Sequence, residues 1–183
     1  MTNLALGEEK NIDKDSDVKT TDLPNVEQPK TIVSQDLNIE DLLKQIRFAG
    51  PAEEEFAKAS LESAKKSGGR DWGKTAKFYG ESAMFKPSTE NLIGYAESSL
   101  MTGRIGGDKK NSLAAKLRDF QQTIKTYRVA ILLGERTNQP LAVNVRQKVD
   151  ANITCLQAFL KNPDPNSPVC KLVSEALRES RIK

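Results

Sequence analysis

Among the residues able to do chemistry, histidine is missing altogether. Without an imidazole there is no Ser–His or Cys–His pair to activate a nucleophile. Nor is there a side chain whose ordinary pKa lies close to neutrality. Two cysteines, Cys155 and Cys170, are too few for a four-ligand zinc site when no histidine can complete the set. The carboxylates come in groups, Glu53-Glu54-Glu55 and Glu81, Glu90 and Glu97. Because no Glu-x-x-His partner helix accompanies them, they read as charged helix surface rather than as a metal or acid–base site. Gly103-Arg-Ile-Gly-Gly-Asp-Lys-Lys110 is glycine-rich and basic, but it lacks the preceding strand and the Gly-Lys-Ser/Thr ending of a phosphate loop. It reads as a turn. Asn152-Ile153-Thr154 fits the glycosylation sequon, yet Ile153 falls on the apolar face of a helix, so the match reads as chance. The expectation is a non-enzymatic protein with no metal and no cofactor.

The cysteines leave one chemical question open. Cys155 falls late in one helical segment and Cys170 at the start of the next, with Asn162-Pro-Asp-Pro-Asn-Ser-Pro168 between them. An antiparallel hairpin would bring the sulfurs together, and a disulfide closing a loop of about 15 residues stabilises by roughly 3 kcal/mol in the chain-entropy model. Two free thiols are the alternative. The compartment hangs on the same choice. The N-terminus, Met1-Thr-Asn-Leu-Ala-Leu-Gly-Glu-Glu9, has no basic region and no long apolar stretch, which reads as cytoplasmic. A disulfide together with a removed signal would instead place the protein outside the cytoplasm. No segment approaches the ~18 apolar residues of a membrane span.

The elements that must position these residues are helical. Residues 1–35 carry four Lys against seven Asp/Glu and show no apolar period, so they read as a disordered acidic tail. From Asp36 onward the spacing predicts about seven helices in antiparallel hairpins, an all-α domain over 36–183. Ile39, Leu42, Leu43 and Ile46 mark the first, over 38–48. Pro51 opens the second, over 51–66, with Phe56, Ala57, Leu61 and Ala64 expected inside. Asp71 caps the third, over 72–85, and Ser88 the fourth, over 89–102. Leu113, Leu117, Phe120, Ile124, Tyr127 and Ile131 form the stripe of the longest helix, 112–134. Val145, Val149, Ile153, Leu156 and Leu160 mark a sixth that starts at Pro140. A seventh, running to about 180, begins at Ser167-Pro168 and carries Leu172, Val173, Ala176 and Leu177.

The stretch from Asp71 to Pro87 resembles the second helix of a tetratricopeptide repeat. Trp72, Tyr79, Ser82 and Pro87 stand where that pattern has an aromatic after the turn, a second aromatic, a small residue and a closing proline; Thr75 departs from its usual alanine. The resemblance covers at most residues 51–103, and an orthogonal helical bundle is the alternative architecture. If the repeat reading holds, it implies that the first helix of each hairpin lines a concave face. Asn91, Ser98 and Thr102 would then face a ligand, with Lys65 and Lys66 adding positive charge at one end. The function implied is a scaffold or adaptor that binds a protein or peptide partner.

A second reading rests on charge. Residues 104–183 carry fifteen basic and seven acidic residues, which suits nucleic acid or an anionic membrane surface. Aromatic residues make up only 5% of the chain, so stacking platforms for single strands are few. Solvated helix faces explain the same charges.

Overall fold

The computed structural model describes residues 38–102, 112–164 and 170–179. They form seven helices: α1 Ile39–Phe48, α2 Pro51–Ser67, α3 Trp72–Phe85, α4 Thr89–Thr102, α5 Leu113–Arg136, α6 Val143–Lys161 and α7 Lys171–Glu179. No strand occurs among the described residues, so the fold is all-α. The acidic tail, the Gly103–Lys110 segment and the Ser167-Pro168 start lie outside the described residues.

Local chemistry sets the helix ends. Asn38, Asp71 and Ser112 each accept a backbone N–H of the first turn through the side chain, which satisfies donors that the helix cannot. Pro51 stands first in α2, where its missing N–H costs nothing. Helix α6 starts at Val143 rather than Pro140. Asn138 sits at φ 54° and reverses the chain after α5, Gln139 N donates back to Gly134 O at 2.8 Å, and the backbone reaches Ala142 still extended.

Each helix packs on the next from α2 to α7, while α7 also returns to α4 and α1 lies across α5. The main core joins α4, α5, α6 and α7 through Leu100, Phe120, Tyr127, Val149, Leu156, Phe159 and Val173, all fully enclosed. Phe120 and Phe159 meet edge to face with ring centroids 5.3 Å apart. A smaller core gathers Leu42, Ala83, Leu92, Ala130 and Leu133 under α1. Helix α4 feeds both cores, Leu92 at one end and Leu100 at the other. Phe56 departs from its expected place: it is 47% exposed and packs on Phe85 at 4.5 Å between ring centroids, while Ser60 takes the buried position on α2.

Small residues let α2, α3 and α4 approach closely. Ala57, Ser60 and Ala64 of α2 are buried, as are Ala76, Ser82 and Ala83 of α3. Between α3 and α4 two tyrosines interlock with two glycines. A Cβ added at Gly94 would fall on the Tyr79 ring, and one added at Gly80 would lie 3.3 Å from the Tyr95 ring. Each glycine is a seat for the aromatic opposite.

Candidate functional site

The residues that the repeat resemblance assigns to a ligand-facing row do not share an exposed face. Asn91 is 2% exposed and Ser98 1% exposed. Asn91 is the third residue of α4 and forms a reciprocal cap with Ser88. Its Oδ1 accepts Ser88 N at 2.8 Å, while Asn91 N donates to Ser88 Oγ at 3.2 Å. The amide nitrogen then donates to Lys86 O at 2.9 Å and to Ser82 Oγ at 3.2 Å, and Ser82 Oγ donates to Ala57 O at 2.8 Å. Asn91 thus clamps the α3–α4 turn and ties it to α2; a buried amide must find such partners. Ser98 Oγ donates to Gly94 O and Tyr95 O within its own helix. Thr102 is half-buried at the end of α4, where its hydroxyl donates to Ser99 O at 2.8 Å. Asn91 and Ser98 of the expected row are enclosed by the helix packing. Lys65 and Lys66 are exposed, and Lys65 pairs with Glu90 at 2.8 Å, which holds its ammonium above the ordinary range.

Among the described residues, concavities open at both ends of α3. The larger, about 860 Å³, lies between α1 and α2 and over the α3–α4 turn and the end of α5. Ile46, Ala57, Leu61, Pro87 and Leu133 give it an apolar lining. Glu54, Glu55, Lys58, Glu90 and Gln139 supply polar groups. The α2 contribution, at 51, 54, 55, 57, 58 and 61, keeps to one side of that helix. Lys86 bridges to Glu54 at 2.6 Å at one edge.

The smaller cleft, about 220 Å³, lies where the start of α3 meets α4, α6 and α7. Its walls include Trp72, Glu97, Met101, Lys148, Asn152 and Glu175. Behind it the Tyr127 hydroxyl donates to Glu97 Oε1 at 3.3 Å and accepts from Asn152 Nδ2 at 3.2 Å. Burial pushes that phenol well above the ordinary tyrosine range. Lys148 pairs with Glu97 at 2.9 Å.

Among the described residues one ion pair is enclosed. Lys116 and Asp119 of α5 have side chains 1% and 3% exposed and stand 3.6 Å apart. Lys116 Nζ also donates to Leu100 O at 2.8 Å, occupying a carbonyl in the last turn of α4. Burial pushes the Asp119 carboxyl up to about 6, with Lys116 opposing it, and lowers the Lys116 ammonium. Other cations of the C-terminal helices meet carboxylates of the same chain: Arg146 with Glu135 and Asp150, Lys171 with Glu175, and Arg178 with Glu179.

Cys155 and Cys170 lie at disulfide distance, with Cα atoms 5.9 Å apart, and their bond ties α6 to the start of α7. Among the described residues no cluster of three or more cysteines and carboxylates could hold a metal, and no helix is long and apolar enough to cross a membrane. What the fold and its concavities define is an all-α protein with a groove and a side-chain-sized cleft. Comparison with known families, characterised proteins and solved structures finds no match to this chain.

Proposed function

We propose that the chain is a non-enzymatic interaction module that binds a segment of another protein in the groove between α1 and α2. The observation that carries this reading is the groove itself. Its volume of about 860 Å³ and its apolar lining with polar groups around it suit a short peptide with one or two apolar anchors. A buried clamp holds the floor, since Asn91 fixes the turn that carries Pro87. Such a floor would bind without much reordering. The tetratricopeptide resemblance agrees with peptide binding as a class, and of the row it assigns, Asn91 lies against this groove while Ser98 and Thr102 do not. The anionic-polymer alternative has less support, because it rests on the charge count of residues 104–183 alone.

Site-specific photo-crosslinking from native extract tests the groove. A reactive side chain at Lys58, inside it, is expected to capture a discrete partner. The same group at Lys161, at the end of α6, should not. Leu61→Asp should abolish capture from position 58 while the circular dichroism spectrum keeps its helical form. Equal labelling from both positions, or capture that survives Leu61→Asp, counts against the groove.

A further inference from the structure

The cleft at the start of α3 lies a helix-length from the groove, about 20 Å at 1.5 Å per residue, and none of its walls belongs to the groove. We infer that this Trp72 cleft is a receptor for a single arginine side chain presented by a partner protein. Size, wall chemistry and the exposure of the competing cations all bear on that assignment.

Pockets for drug-sized ligands run from about 300 to 1,000 Å³. At about 220 Å³ this one has room for one long side chain. Its apolar walls, Trp72, Met101 and Leu172, suit an aliphatic stem and the flat face of a guanidinium. An indole meets such a cation favourably through its ring quadrupole. The polar walls are two carboxylates, Glu97 and Glu175, the Asn152 amide and two lysines, Lys148 and Lys171. An apolar guest would strip water from these polar groups and add no partner, and an anionic guest would meet Glu97, the less exposed charge, which the Tyr127 hydroxyl holds in place.

The lysines at the cleft do not exclude a guest cation. Lys148 and Lys171 have side chains 62% and 89% exposed, so their pairs with Glu97 and Glu175 are solvent-screened contacts. Glu97 is different. Its side chain is only 26% exposed, and the buried Tyr127 hydroxyl holds it from behind. The carboxylate is the fixed part and the lysine the displaceable part. A bidentate guanidinium that also covers the indole can replace one flexible ammonium.

Trp72 is the only tryptophan in the chain, so the cleft carries its own reporter. N-acetyl-L-argininamide is titrated into the full-length protein while Trp72 emission is followed. A saturable change is expected with a midpoint in the millimolar range, typical of one side chain binding alone. Matched sodium chloride and N-acetylglycinamide should give no saturable change. Two substitutions should move the midpoint in opposite directions. Glu97→Gln raises it about tenfold. Lys148→Ala lowers it severalfold by removing the competing ammonium. General damage to the fold would not produce that opposition. The absence of a saturable change, an equal response to N-acetylglycinamide, or a shift of both variants in one direction would overturn the assignment. Groove variants such as Leu61→Asp should leave the titration unchanged, so this test and the groove test fail separately.

Discussion

Replacing Lys116 by methionine should expose how α5 holds the end of α4. The substitution preserves most of the side-chain volume and removes the charge. It leaves the Asp119 carboxylate buried without its counter-ion and the Leu100 carbonyl without its donor. Removing one partner of a buried pair costs about 3–5 kcal/mol. With a urea slope of about 2 kcal/mol per molar, the midpoint should fall by roughly 1.5–2.5 M. The cost should also depend on pH. Burial already raises the Asp119 carboxyl to about 6 against the pull of Lys116, and without that pull it rises further. A carboxyl raised in the folded state above its unfolded value favours folding when protonated. Its stabilisation is therefore fully present below the unfolded pKa and is lost as pH rises through the folded one. The variant should lose most at about pH 8 and recover a large part of the difference near pH 5. Lys116→Met combined with Asp119→Leu removes both charges and should stay within about 2 kcal/mol of the parent, because apolar replacement of a buried pair is often neutral. Urea melts at the two pH values measure all of this. A single-variant cost below about 1 kcal/mol at the higher pH, a cost that does not shrink on acidification, or a double variant as unstable as the single would refute the role given to the pair.

Three further perturbations separate structural from superficial polar residues. Asn91→Ala leaves buried partners of the clamp unsatisfied and should cost about 2–3 kcal/mol, whereas Ser98→Ala removes only a bond to its own helix and should stay within about 0.5 kcal/mol; thermal melts of the two should differ by several degrees. Gly94→Ala drives a methyl into the Tyr79 ring and should cost about 1–3 kcal/mol, while at Gly80, where the clearance from Tyr95 is larger, the gain in helix propensity of about 1 kcal/mol offsets the contact and the net change in a urea melt should be small. Replacing Cys155 and Cys170 by alanine opens a closure of 15 residues and should lower stability by roughly 3 kcal/mol, with hydrogen exchange of α7 rising first; thiol titration of the denatured parent should find no free thiol until reductant is added.

The helices were legible because each carries its own period and stop signal. The α5 stripe from Leu113 to Ile131 packs on the main core along its length, and Asp71, Ser88 and Ser112 cap where their types say they should. Phe56 and Phe159 were not legible. Both lie near helical apolar faces, and only the partner opposite decides which is covered: Phe120 encloses Phe159, while Phe56 meets Phe85 at the rim. The site was read less well for the same reason. The Ser88-x-x-Asn91 spacing is a local cap signal in which asparagine stands for the usual Glu or Gln, so Asn91 is first a clamp of the turn that floors the groove. Lys116 is one of the fifteen basic residues over 104–183; its burial comes from the end of α4, sixteen residues earlier in sequence, and nothing in the local spacing announces it. The Trp72 cleft needs four helices to exist, so no single stretch could display it.

The two concavities are joined by one rigid pair of helices. Tyr79 rests on Gly94 and Tyr95 on Gly80, so α3 cannot slide along α4 without driving a ring into backbone or leaving a void. At one end of this pair the Asn91 clamp closes the turn that floors the groove; at the other Trp72 packs on the core shared by α4 to α7. Burying hydroxyls and an amide between α2, α3 and α4 adds little net stability compared with apolar packing, because each bond replaces one made to water. What these groups do add is a unique register, since a shift of one helix position would leave the Ser82 hydroxyl, the Asn91 amide and the Lys86 carbonyl unpaired together. The division of labour follows from composition. Helices α4 to α7 hold the large apolar side chains that stabilise the fold, and α2 to α4 hold the small and polar ones that fix the spacing between a peptide-sized groove and an arginine-sized cleft.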